Sequence, residues 1–130
     1  RDRVSQKEIF RQYFLHDASV LIVGDWPGAD SIMTGKIFEL IESGRPILAL
    51  LPPKRDGCAR RLLDKTDAAY FADIGDEEMI GERILEMIRR KDEGTLNKPR
   101  RNMDWFHQNY HYQNLCQKLY RECLFSLMKD

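Results

Sequence analysis

Residues at the start of one predicted helix have types and a spacing that suit an anion with a diol beside it. The segment 34–46 reads TGKIFELIESGRP. The free backbone N–H groups of such a start attract an anion, Gly35 lets it approach the backbone, and Lys36 adds a cation. Glu39 lies one turn further in, on the same face as Gly35, and its carboxylate can accept two hydrogen bonds from a vicinal diol such as ribose. The same residues, with Thr34, also suit an ordinary amphipathic helix between two strands, so both interpretations stay open.

A second candidate is the loop GDWPG, residues 24–28, where Asp25 follows an apolar strand. An aspartate in that place is typical of the phosphoacceptor of a receiver domain, whose loop has a similar Asp-x-Pro-Gly pattern. A receiver also needs a Ser or Thr after its fourth strand and a Lys-Pro pair after its fifth, and neither LALLPP nor YFADIG supplies them. A receiver-like or other doubly wound signalling or binding domain is therefore the alternative function.

The sequence gives little support to a metal site or a nucleic-acid site. His107 and His111 stand four residues apart on one predicted helix, a spacing that suits zinc, but no HExxH glutamate accompanies them. We therefore expect surface histidines and no metal. The basic run KPRR, residues 98–101, lies in a chain with 21 basic and 21 acidic residues. This balance predicts a solvated linker and no nucleic-acid partner.

Length and composition indicate one soluble domain. The chain has 130 residues, of which 42% are hydrophobic and 32% charged. Its three cysteines include no CxxC pair, which is typical of reduced thiols in a cytosolic setting. No stretch approaches the roughly 20 consecutive apolar residues of a membrane span, and the first residues lack a signal-peptide pattern. We therefore expect a cytoplasmic location.

The pattern of apolar residues predicts the elements that would position these groups. Short apolar runs are typical of buried strands, and we expect the first of them to be buried on both faces. Helical spacing of apolar residues separates the runs, and strands that alternate with helices imply a parallel sheet. The predicted strands cover residues 18–23, 46–51 and 68–72, and the predicted helices cover 4–14, 34–43, 58–65 and 76–91. The fold class is therefore α/β, a Rossmann-like three-layer domain with a small parallel sheet.

The order of elements also predicts how the chain is divided. Residues 1–92 form the partial Rossmann-like domain, residues 93–101 a polar linker, and residues 102–130 one long C-terminal helix that packs on the same or a missing domain. Three such apolar strands need neighbours, because an exposed hydrophobic edge invites aggregation. We therefore expect further strands from an N-terminal part absent from this chain.

Three segments together resemble the group 1 glycosyltransferases of the GT-B type, a family-4-like group. The run SIMTGKIFELIESGRPILALLPP, residues 31–53, is similar to their sugar-nucleotide-binding segment, where a Lys-(Ile/Leu)-Phe-Glu helix precedes Gly-(Arg/Lys)-Pro and an apolar strand. The flanking runs VSQKEIFRQYFLHDASVLIV and DAAYFADIGDEEMIGERILEMI resemble the helix and strands on either side. The resemblance covers most of residues 4–88 and fits the terminal helix more loosely.

The resemblance implies the C-terminal, donor-binding domain of an enzyme that transfers a sugar from a nucleotide-diphosphate-sugar to a glycan, lipid or polysaccharide-precursor acceptor. The donor diphosphate would then bind at Thr34, Gly35 and Lys36, and Glu39 would bind the ribose. A second glutamate of the family pattern falls at Ser31, so the chain departs from the pattern there. The donor sugar would lie near residues 31–33, that is, near Ser31, Ile32 and Met33.

The same resemblance implies what accompanies the chain. No cofactor is expected, since the nucleotide-sugar is a substrate, and the catalytic residue is not identified. The partners would be the two substrates and a missing N-terminal domain, so that the 130-residue chain by itself would be inactive. Peripheral association of the full protein with the cytoplasmic face of a membrane, and self-association of this chain through its apolar surfaces, are left open.

Overall fold

The computed structural model describes residues 3–31, 33–53, 56–97 and 102–124. Contacts divide the chain into two compact units, residues 1–100 and 101–130, and each is treated by itself below. The first unit contains α1 (Gln6–Leu15), β1 (Ser19–Ile22), α2 (Gly35–Glu42), β2 (Ile47–Leu51), α3 (Cys58–Thr66), β3 (Ala69–Asp73) and α4 (Glu77–Asp92), with a 3₁₀ turn at Ala29–Ser31. The second contains α5 (Met103–Tyr110), α6 (Tyr112–Leu119) and a π-helical turn at Tyr120–Leu124.

The sheet of the first unit has three parallel strands in the order β1-β2-β3, which confirms the predicted α/β class and parallel pairing. The register places Val20 beside Leu48 and Leu48 beside Tyr70. Because side chains alternate along a strand, these three lie on one face of the sheet, and Leu21, Ala49 and Phe71 lie on the other.

Helix α3 covers the Phe71 face of the sheet. The guanidinium carbon of Arg60 lies 3.5 Å from the centroid of the Phe71 ring. Helix α2 contacts α3, and the core of this part of the unit is closely packed, with Ile37, Ile41 and Leu63 each 0% exposed. Burying an aliphatic side chain of this size contributes roughly 1.5–3 kcal/mol, which fixes α2 along its apolar side.

Helix α4 covers the opposite face, where Met87 packs with Leu48, Tyr70 and Leu96 in one buried cluster. The hydroxyl of Tyr70 donates a hydrogen bond of 3.0 Å to the Leu96 carbonyl oxygen, so the phenol is satisfied although it is buried. Helix α4 contacts β3 and β2.

The prediction that β1 is buried on both faces is wrong. Leu21 is buried, but Val20 is 57% and Ile22 61% exposed. The physical reason is that α4 lies over β2 and β3 and leaves the Val20 and Ile22 face of β1 uncovered. An uninterrupted apolar run is typical of a strand with helices on both faces of its sheet. The run itself does not indicate whether a helix covers each of the two faces.

Helix α1 begins as its capping residues predict. The Ser5 hydroxyl oxygen accepts a hydrogen bond of 3.3 Å from the Glu8 amide. The Glu8 carboxylate turns to Gln12, whose side-chain amide donates a bond of 2.8 Å to it, and so one half of the capping box is formed.

The prediction of one long helix from residue 102 is wrong. The described part of the second unit has two eight-residue helices, α5 and α6, separated at His111, which is extended with φ −69° and ψ 132°. The Asn114 side chain donates a hydrogen bond of 2.9 Å to the His107 carbonyl oxygen at this junction. Residues 125–130 of the predicted helix lie outside the described residues. None of the helices in the described ranges combines the length and apolar character needed to cross a membrane.

Candidate functional site

The candidate site lies at the start of α2, which follows β1 and the loop behind it. In a parallel sheet the carboxyl ends of all strands meet at one edge, and ligands of open α/β sheets bind beyond that edge. Thr34 is the N-cap, with an extended backbone at φ −76° and ψ 143°. Its carbonyl oxygen accepts a hydrogen bond of 3.1 Å from the Ile37 amide, and its side chain makes no capping bond to any described residue.

Gly35 and Lys36 form the first helical positions, where backbone amides have no acceptor within the helix. Both residues are exposed, and apart from the neighbouring residues and the backbone of the same helix, no described atom lies within 4 Å of a Cβ placed on Gly35. Helix α4 begins differently, because the Asp76 carboxylate accepts a bond of 2.9 Å from the Met79 amide and two further acidic residues follow it. The first turn of α2 has no such anion, so its positive end faces open space.

Glu39 lies one turn into α2 and is half-buried. The hydroxyl of Tyr13, on α1, donates to Oε2 of this carboxylate at an oxygen–oxygen distance of 3.5 Å. Burial raises the pKa of Tyr13 above its usual value, and the negative charge of Glu39 and its hydrogen bond raise that pKa further. The shift has the same direction as the usual behaviour of a phenol, so Tyr13 is a protonated donor at neutral pH.

The C-terminal end of α2 is fixed from two sides. The Ser43 hydroxyl donates to the Leu40 carbonyl oxygen at 2.7 Å and accepts from the Arg45 amide at 3.2 Å. Gly44 has φ +73°, the left-handed conformation that the predicted C-cap requires. Nη2 of Arg45 donates a bond of 2.6 Å to the Phe14 carbonyl oxygen at the end of α1, so the two helices are joined near Tyr13.

The loop between β1 and α2 contains the residues predicted to lie near a sugar. Ser31 is exposed at the end of the 3₁₀ turn, its amide donating to the Gly28 carbonyl oxygen at 3.0 Å, and Met33 is half-buried. Ile32 lies outside the described residues. The turn is held down by Ala29, which is 2% exposed. Ser31 and Met33 thus belong to the segment that leads directly into the start of α2.

Trp26 is a feature of this loop that sequence reasoning missed. Its indole is 50% exposed, and it lies so close to Gly24 that a Cβ placed there would be 2.1 Å from the ring carbon Cζ3. The Trp26 ring can occupy this position because residue 24 is a glycine and has no Cβ. The GDWPG run marked a loop, and the only sequence signal for this packing was a glycine two residues before a tryptophan.

The other candidate groups are Asp25 and the pair His107 and His111. Asp25 is exposed in the loop after β1. The rings of His107 and His111 lie 6.1 Å apart at their centroids, and the second of these histidines is exposed. Within the described ranges, no group of three or more His, Cys, Asp or Glu residues is placed to hold a metal ion. The sequence-based expectation about metals stays a prediction.

Comparisons of the chain with protein-family models, with curated proteins and with solved structures find no match. The structure places three of the predicted residues, Thr34, Gly35 and Lys36, at one exposed helix start, and Glu39 on the same helix one turn away. It also joins Glu39 to Tyr13, a contact that no sequence pattern predicted.

Proposed function

We propose that this chain is the donor-binding part of a glycosyltransferase that transfers a sugar from a nucleotide-diphosphate-sugar to an acceptor. The observation that carries the proposal is the open start of α2 at the carboxyl edge of a parallel sheet, with a carboxylate one turn further along. The order of elements around it agrees with the resemblance in sequence described above.

The diphosphate would bind the amides of Gly35 and Lys36 together with the Lys36 ammonium group. Each favourable charge at a helix start contributes roughly 0.3–1 kcal/mol, and charge-assisted hydrogen bonds from the amides add to this. Charge grows on the diphosphate as it leaves the sugar. Fixed dipoles stabilise such a leaving group without reorganising, which is the contribution to catalysis we assign to this helix.

Glu39 would bind the ribose, and residues 31–33 would border the sugar. The eight-residue helix α2 is long enough for both contacts, because the rise along its axis from Gly35 to Glu39 is only about 6 Å. A carboxylate offers two oxygens and therefore has acceptors for both hydroxyls of a vicinal diol. The serine at position 31 offers a neutral hydroxyl at the place where the family pattern has a second carboxylate.

We also propose that the edge of β1 receives the N-terminal part that the resemblance implies. The Ser19 amide donates to Pro46 and the Val23 amide to Leu50, and so the amides of Val20 and Ile22 lie on the outer edge. An apolar trough of about 290 Å³ adjoins this edge, lined by Val20 and by Ile84 and Ile88 of α4 among others. In a longer protein the Val20 and Ile22 amides should exchange hydrogen more slowly than in the 130-residue chain, and equal rates would contradict the proposal.

We place the full protein in the cytoplasm, with peripheral membrane association as the alternative. The equal numbers of acidic and basic residues, 21 each, support no general attraction to an anionic lipid surface. Fractionation of cells that express the full protein tests this, and recovery with the membrane pellet at moderate salt would contradict a purely cytoplasmic location.

The donor-binding proposal is tested by titrating the 130-residue chain with UDP and with GDP. We expect weak binding of at least one of them, weakened further in Lys36→Ala and in Glu39→Ala and unchanged in the control Lys118→Ala. Equal affinities in all four proteins would refute the site. Treatment with acetyl phosphate tests the receiver alternative, because a phosphorylated Asp25 detected by mass spectrometry would favour that class instead.

A further inference from the structure

The contact between α1 and α2 at Tyr13 and Glu39 has no part in the packing of the core. Helix α1 buries no residue completely, and Glu39 lies outside the buried face of α2, which is formed by Ile37, Leu40 and Ile41. The two residues are 26 positions apart in sequence. A half-buried phenol that meets a half-buried carboxylate in this position therefore needs an explanation other than filling the core.

Two contacts restrict the Tyr13 ring and the backbone beside it. Its centroid lies 5.8 Å from that of Phe10, one turn earlier, in an edge-to-face arrangement with an interplanar angle of 70°. The bond from Arg45 to the Phe14 carbonyl oxygen fixes the next residue of α1 against the C-terminal end of α2. The hydroxyl of Tyr13 is thus held at a defined place beside Glu39.

The Glu39 carboxylate is left partly available. Among the described residues, Tyr13 is the side chain that bonds to it, and it does so at Oε2. An ionised carboxylate has about four acceptor sites on its two oxygens, so one donor leaves room for two more. A long, flexible glutamate that is held on one side loses less rotamer entropy when it binds a ligand on the other.

We propose that Tyr13 is a positioning residue for Glu39, which holds the carboxylate in the orientation that accepts the 2′- and 3′-hydroxyls of a ribose. This inference rests on the proposed function, since it assigns a ribose to Glu39. Tyr13 does not touch the ligand and acts through the carboxylate. The neutral, protonated phenol is the form that donates, and a tyrosine whose pKa lies at or above its usual value of 10.0 has this form through the physiological range.

The test measures recognition of the ribose separately from overall binding. The dissociation constants of UDP and of 2′,3′-dideoxy-UDP are measured for the wild-type chain and for Tyr13→Phe. The dissociation constant of dideoxy-UDP divided by that of UDP gives the contribution of the two hydroxyls. If GDP is the nucleotide that binds, GDP and its dideoxy form are used. Tyr13→Phe should lower this ratio about threefold, at the weaker end of the range for one hydrogen bond because 3.5 Å is long for such a bond. The control Tyr112→Phe removes a hydroxyl from an exposed tyrosine of the other unit and should leave the ratio unchanged.

A double-mutant cycle excludes a merely structural effect. In a Glu39→Gln background the ratio should already be reduced, and adding Tyr13→Phe should change it no further, because the carboxylate that Tyr13 holds is gone. A residue that only supports α1 would lower the affinities for both nucleotides alike and leave the ratio intact.

The possible results distinguish the role of Tyr13 from the existence of the donor site. A ratio that depends on Glu39 and is unchanged or increased in Tyr13→Phe would overturn the role of Tyr13 and leave the donor site standing. A ratio that does not depend on Glu39, or the absence of binding by either nucleotide, would overturn the proposed function and the inference with it.

Discussion

A negative charge at residue 35 should stabilise the fold and weaken the binding of a nucleoside diphosphate. Gly35 occupies the first position of α2, and its φ lies outside the left-handed region. Apart from the neighbouring residues and the backbone of the same helix, no described atom lies within 4 Å of an added Cβ. Aspartate and asparagine have the same shape and should both fit. An acidic side chain in the first turn stabilises a helix by roughly 0.3–1 kcal/mol, so Gly35→Asp should be more stable than Gly35→Asn by about that amount.

Binding should respond with the opposite sign. Two unit charges about 5 Å apart repel by about 0.8 kcal/mol in water, so two phosphate charges near this carboxylate cost about 1.6 kcal/mol. Since 1.36 kcal/mol corresponds to a factor of ten, UDP should bind about 15-fold more weakly to Gly35→Asp than to Gly35→Asn. Both effects should decrease as salt screens the charges.

The assay compares the two variants by urea unfolding and by titration with UDP at low and high salt. A loss of binding in the more stable variant cannot be attributed to unfolding. Equal affinity of the two variants for UDP would refute the placement of the diphosphate at α2. A less stable aspartate variant would refute the description of this helix start as open and positive.

Three further predictions concern the fold around the site. Ile37→Ala should lower the free energy of unfolding by roughly 2–5 kcal/mol, because it leaves a cavity where the Ile37 side chain is 0% exposed. Urea unfolding measures this loss, and a loss below about 1 kcal/mol would contradict the complete burial of Ile37. Gly24→Ala should displace the indole of Trp26, whose ring occupies the space of the new Cβ, and an unchanged emission spectrum in a Trp105→Phe background would show that the ring is not there. The hydrogen bond and charge of Lys91 lower the pKa of Asp17 from 3.8, and the hydrogen bond and charge of Asp17 raise the pKa of Lys91 from 10.5. The pair therefore stabilises the fold fully between pH 3.8 and pH 10.5. This stabilisation is lost as the pH falls through the lowered pKa of Asp17 or rises through the raised pKa of Lys91. Asp17→Asn should therefore be less stable than the wild type at neutral pH, and the difference should disappear as the pH falls through the lowered pKa of Asp17; a difference that persists well below that pKa would contradict the assignment.

Local signals predicted much of the first unit. Ser5 and the residue three positions on specified the start of α1, and Gly44 specified the end of α2. The three apolar runs became β1, β2 and β3 in parallel register. These features depend on residues close together in sequence, and for that reason a sequence pattern can identify them.

The features that failed depend on distant or missing neighbours. The apolar run of β1 suggested two covered faces, but whether Val20 is covered depends on the position of α4, which begins at Glu77, far from Val20 in the sequence. The apolar stripe after residue 102 continued through His111, and no Gly or Pro marked the break that the structure has there.

The candidate site was predictable in the same uneven way. Thr34, Gly35, Lys36 and Glu39 could be found because they share one helix and a recognisable spacing. The partner of Glu39 could not, since Tyr13 is brought to it by the packing of another helix.

The central claim is that a nucleoside diphosphate binds along α2 with its phosphates at the helix start. The most direct measurement is a titration of the ¹⁵N-labelled 130-residue chain with UDP and GDP, followed by the backbone amide resonances. We expect the amide resonances of Gly35 and Lys36 to shift most and that of Glu39 to shift with them. The 2′,3′-dideoxy nucleotides should retain the first two shifts and lose much of the third. Shifts confined to other parts of the chain, or none at concentrations of several millimolar, where a Kd of 1 mM corresponds to about −4.1 kcal/mol, would contradict it.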